Sequence, residues 1–189
     1  MNEITIFASG SGSNAQNIAE YFKNRNNVVI NHILTNKKDA YVIERAKNLG
    51  IPCTYFNKSD FYESDKVLNL LKGLNTDLIV LAGFLWLVPS NIISGFPNRI
   101  INIHPALLPK YGGKGMYGHH VHQAVIDNHE TESGITIHYV NEKYDDGNII
   151  LQAKCNIDTT DSADDVAKKV HQLEYMHYPK VIEEILLKI

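Results

Sequence analysis

Asn102 and His104 stand two residues apart in Ile100–Ile101–Asn102–Ile103–His104, an apolar run that reads as a buried strand. Residues two apart in a strand share a face. An amide donor and an imidazole therefore point into one space at the strand's carboxyl end, where open α/β sheets bind their ligands. That pair suits acyl transfer. When an amine attacks an acyl carbon, the carbonyl oxygen gains negative charge, which a fixed amide donor and an imidazolium stabilise. Taken one at a time, the commoner readings are a turn cap for Asn102 and a structural histidine for His104. The whole string Asn102 to Pro109, stiffened by Pro105 and Pro109, shifts the balance toward chemistry.

A second feature is the turn Ser9–Gly10–Ser11–Gly12–Ser13–Asn14–Ala15, placed where a first strand passes into a first helix. Glycines let the backbone approach an anion, and free amides at the helix start, with the Ser13 and Asn14 side chains as extra donors, can hold a phosphate. A capped helix start explains the same residues equally well. Gly10, Gly12 and Ala15 satisfy dinucleotide spacing, but the second strand ends in Leu34–Thr35–Asn36 without the acid that would hold an adenosine ribose. No glycine is followed by Lys and Ser or Thr as a P-loop requires.

The elements that must position these groups follow an alternating rhythm. Apolar, β-rich runs at 4–9, 28–34, 53–56, 78–81 and 100–103 read as strands, and 14–22, 40–49, 61–72 and 121–128 as helices. Such alternation implies a mostly parallel sheet covered on both faces. Residues 134–140 and 149–153 then form an antiparallel strand pair around an Asp–Asp–Gly turn. A last helix starts near Ser162, with Asp164 and Asp165 in its first turn and Val166, Val170 and Leu173 inward; Pro179 should break or kink it. The expected fold is a Rossmann-like three-layer α/β domain over residues 1–189.

The 189 residues, 44% hydrophobic and 21% charged, suffice for a core without disulfide or metal staples. A formal charge of -3 with interspersed signs gives no broad footprint for nucleic acid or an anionic membrane. Cys53 and Cys155 lie far apart and no apolar run spans a bilayer, so a reducing, cytoplasmic setting is expected. His119, His120 and His122 lack a supporting carboxylate and cysteine pattern and read as solvated helix residues, with no metal expected.

From Asn102 to Tyr111 the chain reads NIHPALLPKY, which closely resembles the signature of the folate-dependent formyltransferases. GSGSN at Gly10 to Asn14, LAGFLWLV at Leu81 to Val88 and HYVNEKYDDGNIILQ at His138 to Gln152 resemble, in the same order, the members that act on glycinamide ribonucleotide. The resemblance implies formyl transfer from 10-formyltetrahydrofolate, a cosubstrate, to the amine of that ribonucleotide. It assigns Asn102, His104 and Asp145 as the catalytic trio, with His104 protonated beside Asp145. Gly12, Ser13 and Asn14 fall to the substrate phosphate and Glu174 to its ribose or amine-bearing arm, with His171 a weaker candidate. The folate walls are assigned to Leu85, Trp86, Leu87 and Val88, and to Asn141, Glu142, Lys143, Tyr144 and Asp145, with Asn102 between them.

Three positions depart from the family pattern. Asp146 stands where glycine is common, Trp86 where arginine often lies, and Phe61–Tyr62–Glu63–Ser64 lacks an arginine that meets the folate tail in some relatives. The glycine-rich stretch Tyr111 to Gly118 suits either a mobile cover or a plain connection. Formyltransferases that act on initiator tRNA carry a further C-terminal domain, for which a chain ending at Ile189 is too short. An amino-sugar nucleotide as acceptor and a non-catalytic binding module on the same frame are the remaining alternatives. Small-molecule substrates are the expected partners, with monomer and homodimer both open.

Overall fold

A computed structural model describes residues 1–189. The elements run β1 (Asn2–Phe7), α1 (Ser13–Phe22), β2 (Val28–Thr35), α2 (Val42–Leu49), β3 (Cys53–Tyr55), α3 (Lys58–Tyr62) and α4 (Lys66–Gly73). There follow β4 (Leu78–Leu81), α5 (Ser90–Gly95), β5 (Ile100–His104), α6 (His119–Asp127), β6 (Glu132–Tyr139), β7 (Ile149–Asn156) and α7 (Ala163–Leu186). The seven strands form one sheet in the order β3-β2-β1-β4-β5-β6-β7. β1 to β5 pair in parallel, and β6 and β7 add antiparallel.

Strand alternation divides the apolar residues between two cores. Ile4, Ile6, Ile33, Leu78, Val80, Ile101 and Ile103 face one layer, built with α1 and α7. Phe7, Leu34, Ile79, Leu81 and Ile100 face the other, with α4 and the aromatic rings of Phe56, Phe61 and Phe84. Both faces of the central strands are thus buried, which is why these runs are almost continuously apolar. Strand order reverses between β1 and β4, and the crevice opens beyond their carboxyl ends.

Three expectations are corrected. The helix expected over 61–72 is two helices. Asn57 and Asp60 form a capping box that starts α3 early, and the Ser64 hydroxyl donates to the Ser59 and Asp60 carbonyls, ending it before α4 begins. A short helix, α5, lies where none was read, directly after Pro89. Pro179 does not break the last helix. Its ring leaves the Tyr175 carbonyl without the usual partner, and the Asn17 side chain of α1 donates to that oxygen at 3.1 Å. The N-terminus of α7 is fixed as read, by a Ser162–Asp165 capping box.

Candidate active site

The carboxyl ends of β1, β4 and β5, the segment 113–119 and the α7 face from Asp164 to Glu174 enclose a cleft of about 740 Å³. Its two ends hold different chemistry.

At one end lies the glycine-rich turn. Gly12 adopts φ 73°, a left-handed conformation, and a Cβ there would stand 2.3 Å from Val42 Cγ2. Only glycine lets α2 pack this closely. The Val42 amide donates to the Gly10 carbonyl at 3.1 Å and Arg45 Nε to the Ser11 carbonyl at 2.8 Å, so α2 fixes the turn from behind. The first intrahelical bond runs from Gln16 N to Gly12 O at 2.9 Å. The amides of Gly12, Ser13, Asn14 and Ala15 therefore have no acceptor inside α1, the usual preparation of a helix start for an anion. Lys37, just beyond β2, adds positive charge to the cleft wall.

Asn14 also plays a structural part. Its side-chain amide gives one N–H to Glu174 Oε2 at 2.9 Å, tying the turn to α7, and keeps its second N–H for a ligand. Glu174 is buried, and the same oxygen accepts from His171 Nδ1 at 2.8 Å. That bond to Glu174 raises the His171 pKa against the opposing effect of burial. Glu174 Oε1 takes no protein hydrogen bond.

At the other end, Asn102, His104 and Asp145 meet. His104 Nδ1 is 3.5 Å from Asp145 Oδ2, and Asn102 Nδ2 donates to Asp145 Oδ1 at 3.4 Å. The Gly113 amide donates to Asp145 Oδ2 at 3.0 Å. Asp145 sits in the turn between β6 and β7 with φ 52°, a conformation that non-glycine residues adopt mainly when they are Asn or Asp. Burial alone would raise its pKa, but the neighbouring His138 and His104 imidazoles and the Gly113 amide hold it below the usual carboxylate value. Asp146 instead points outward, its side chain 54% exposed and 3.7 Å from Lys143. The choice between the two carboxylates thus falls on Asp145.

The resting charge of His104 reverses the expectation. Burial lowers its pKa, and this outweighs the opposing pull of Asp145. Nε2 lies 2.7 Å from the Tyr111 carbonyl, which only accepts, so the neutral ring carries its proton on Nε2 and leaves Nδ1 as a lone pair facing Asp145. The pair is ready to receive a proton.

His138 also belongs here, although the sequence reading did not single it out. It is Asn102's register partner across the β5–β6 pair, and its Nδ1 donates to its neighbour's Tyr139 carbonyl at 2.8 Å. Nε2 is then an acceptor for Asn102 Nδ2 at 3.1 Å, which fixes the orientation of the amide. Thr136, two residues earlier on β6, accepts from Leu108 N and donates to Ala106 O, pinning the turn that follows His104. Gly112 allows that turn to fold over the trio, since a Cβ there would meet Leu108 Cδ2 at 2.5 Å.

The expected folate residues divide. Leu85, Asn102, Tyr144 and Asp145 line the cleft, and the Leu85 amide is held by Ser9 Oγ at 3.0 Å. Trp86, Leu87, Val88, Asn141, Glu142 and Lys143 do not line it. Val88 is buried in the second core, and Trp86 packs against Phe56, Phe61 and Tyr62. A further correction concerns the histidines of α6. His122 is only 3% exposed and lines the cleft, so it is no solvated helix residue. No three His, Cys, Asp or Glu side chains stand together as a metal site.

A family model described as "Formyl transferase" matches residues 2–182. A phosphoribosylglycinamide formyltransferase of Haemophilus influenzae is 37% identical over 97% of the chain and 86% of its own length. The chain belongs to the phosphoribosylglycinamide formyltransferase family. The chloroplastic family member of Arabidopsis thaliana is 39% identical over 97% of this chain, which spans 65% of that protein. The crystal structure of glycinamide ribonucleotide transformylase 1 from Geobacillus kaustophilus superposes with TM-score 0.89 at 32% identity, covering 98% of this chain and 99% of that one. Membership in this formyltransferase family agrees with the observed sheet: parallel to β5, then two antiparallel strands that deliver Asp145 to the end of β5. No helix is long and apolar enough to cross a membrane.

Proposed function

We propose that this protein transfers the formyl group of 10-formyltetrahydrofolate to the amine of glycinamide ribonucleotide, a step of purine biosynthesis. The observation that supports this most directly is the single cleft that has an anion-ready helix start at one end and Asn102, His104 and Asp145 at the other. Substrate phosphate binds the amides of Gly12, Ser13 and Asn14, while Glu174 receives the sugar or the amine-bearing arm. The folate lies along Leu85, Tyr144 and the backbone of the neighbouring turns.

The substrate amine attacks the formyl carbon, forming the new C–N bond, and the formyl oxygen becomes an oxyanion. Asn102 Nδ2 donates to that oxygen. His104 Nδ1 takes the proton released by the attacking nitrogen, and the imidazolium so formed is stabilised by ionised Asp145 at 3.5 Å. The same proton passes to N10 of the folate as the old C–N bond breaks, so protons and electron pairs balance and tetrahydrofolate leaves neutral at that nitrogen. A substrate amine with a pKa of about 8 is partly neutral near pH 7, so orientation contributes more than a strong base.

The test is tetrahydrofolate release followed by absorbance, with glycinamide ribonucleotide, an amino-sugar nucleotide and aminoacylated tRNA offered in turn. Turnover with glycinamide ribonucleotide alone is the expected result. Turnover only with one of the others overturns the substrate assignment.

A further inference from the structure

His122 is a buried imidazole without a protein partner. Its ring is 3% exposed, neither nitrogen forms a hydrogen bond within the protein, and Nδ1 is fully enclosed. Buried polar groups are nearly always paired, and one that is not calls for a ligand or a functional reason. His122 lies on α6, on the wall of the same cleft that Glu174, His171 and His104 line, and within electrostatic range of all three. It therefore shares the cleft with both ends of the site, within reach of a ribonucleotide that spans them.

The kind of ligand follows from its charge state. Burial, helped by the nearby charge of His171, pushes the His122 pKa down to about 4, so the ring is neutral at any physiological pH. A neutral imidazole offers one donor and one acceptor and no net charge. A phosphate would use only the donor and would favour an imidazolium. With Nδ1 enclosed, Nε2 is the nitrogen left for a ligand in the cleft, and a hydroxyl, being both donor and acceptor, pairs with it in either tautomer without changing the ring's charge. Glu174 Oε1, in the same cleft, is a free acceptor for a second hydroxyl.

We propose that His122 is a positioning residue that recognises a hydroxyl of the substrate's ribose, working beside Glu174 to select the ribo sugar over a deoxy sugar. The proposal deepens the ribonucleotide reading given above and rests on it. The reacting amine and the phosphate are both tethered to this sugar, so holding it fixes the distance between them.

The test compares wild type with His122→Leu and His122→Asn, after thermal melts establish that each is folded. Steady-state kinetics use glycinamide ribonucleotide and its 2′-deoxy and 3′-deoxy analogues. Calorimetric titrations use ribose 5-phosphate and 2-deoxyribose 5-phosphate. His122→Leu should raise KM for the ribonucleotide about tenfold, equivalent to about 1.4 kcal/mol, with kcat and the folate KM within twofold of wild type. KM for one deoxy analogue should be the same in wild type and variant, and His122→Asn should restore part of the loss. An equal loss for ribo and both deoxy substrates, or no loss at all, overturns the proposal and leaves His122 a packing residue. If wild type fails to turn over the ribonucleotide, it is the catalytic reading that falls. A preference for ribose 5-phosphate that disappears in His122→Leu would then still uphold the sugar contact, and its persistence would refute it.

Discussion

Replacing Asp145 by asparagine separates charge from shape at the centre of the site. Asparagine has nearly the same outline, tolerates the left-handed backbone found at φ 52°, and can still accept the Gly113 amide, so the fold should survive. What disappears is the negative charge 3.5 Å from His104 Nδ1. At that separation a full ion pair is worth about 5 kcal/mol with an effective dielectric constant of about 20. The charge matters only once His104 has taken the substrate proton, so its loss falls on the transition state rather than on binding. Allowing for screening and for the dipole the amide retains, roughly 2–3 kcal/mol remains, a 30- to 160-fold fall in kcat. KM for both substrates should change little. Asp145 also opposes the burial that lowers the His104 pKa, so its removal lowers that pKa further. The base form of His104 then persists to lower pH, and the acid limb of the kcat/KM profile moves in the acid direction. Single-turnover formyl transfer across pH 5 to 9 reads both effects. A kcat within threefold of wild type, with the acid limb unmoved, would refute the reasoning.

Asn102→Ala removes the oxyanion donor and should lower turnover about a hundredfold to a thousandfold in protein that still melts cooperatively above the assay temperature; near-wild-type turnover in the same assay would cancel its role. Gly12→Ala forces a Cβ to within 2.3 Å of Val42 Cγ2 at a positive φ, and should cost about 1–3 kcal/mol in urea denaturation. Gly10→Ala meets nothing within 4 Å and should stay within about 0.5 kcal/mol. The His171 pKa is raised in the folded protein, so its bond to Glu174 contributes stability below the ordinary value of 6.5. That contribution disappears as pH rises through the raised value. Melting temperatures between pH 6 and pH 9 should fall less in His171→Gln than in wild type, by a small margin because the side chain is 49% exposed.

Much of this site was legible because its parts lie where short-range rules act. Strand periodicity puts Asn102 and His104 on one face, and a glycine-rich turn between strand and helix announces itself. What stayed hidden depends on long-range register. His138 lies on the face of β6 opposite Ile135 and Ile137, and only the pairing of Asn102 with His138 brings it to the site. His122 follows two histidines on an amphipathic helix, and nothing local separates the buried one from its exposed neighbours. The charge of His104 turned on burial against a neighbouring carboxylate, a competition decided by three-dimensional enclosure. Pro179 failed as a helix breaker because a side chain 162 residues earlier supplies a hydrogen bond to the carbonyl it leaves open.

The last helix joins stability to binding through two residues one turn apart. Tyr178 is fully buried, and its hydroxyl donates to the carbonyl of Leu81, the last residue of β4, at 2.8 Å, with Ile101 O of β5 at 3.4 Å. Glu174, four residues before it and therefore on the same side of the helix, reaches the cleft and holds Asn14. The contact that seats α7 on the sheet thus also sets the distance between Glu174 and the trio at the end of β5. Tyr178→Phe keeps the ring and removes only the hydroxyl, a loss of about 1–1.5 kcal/mol in stability. If seating and binding are coupled in this way, KM for the ribonucleotide should rise several-fold while the folate KM stays constant. A variant that loses stability with both KM values unchanged would show that Glu174 is held by Asn14 and His171 alone.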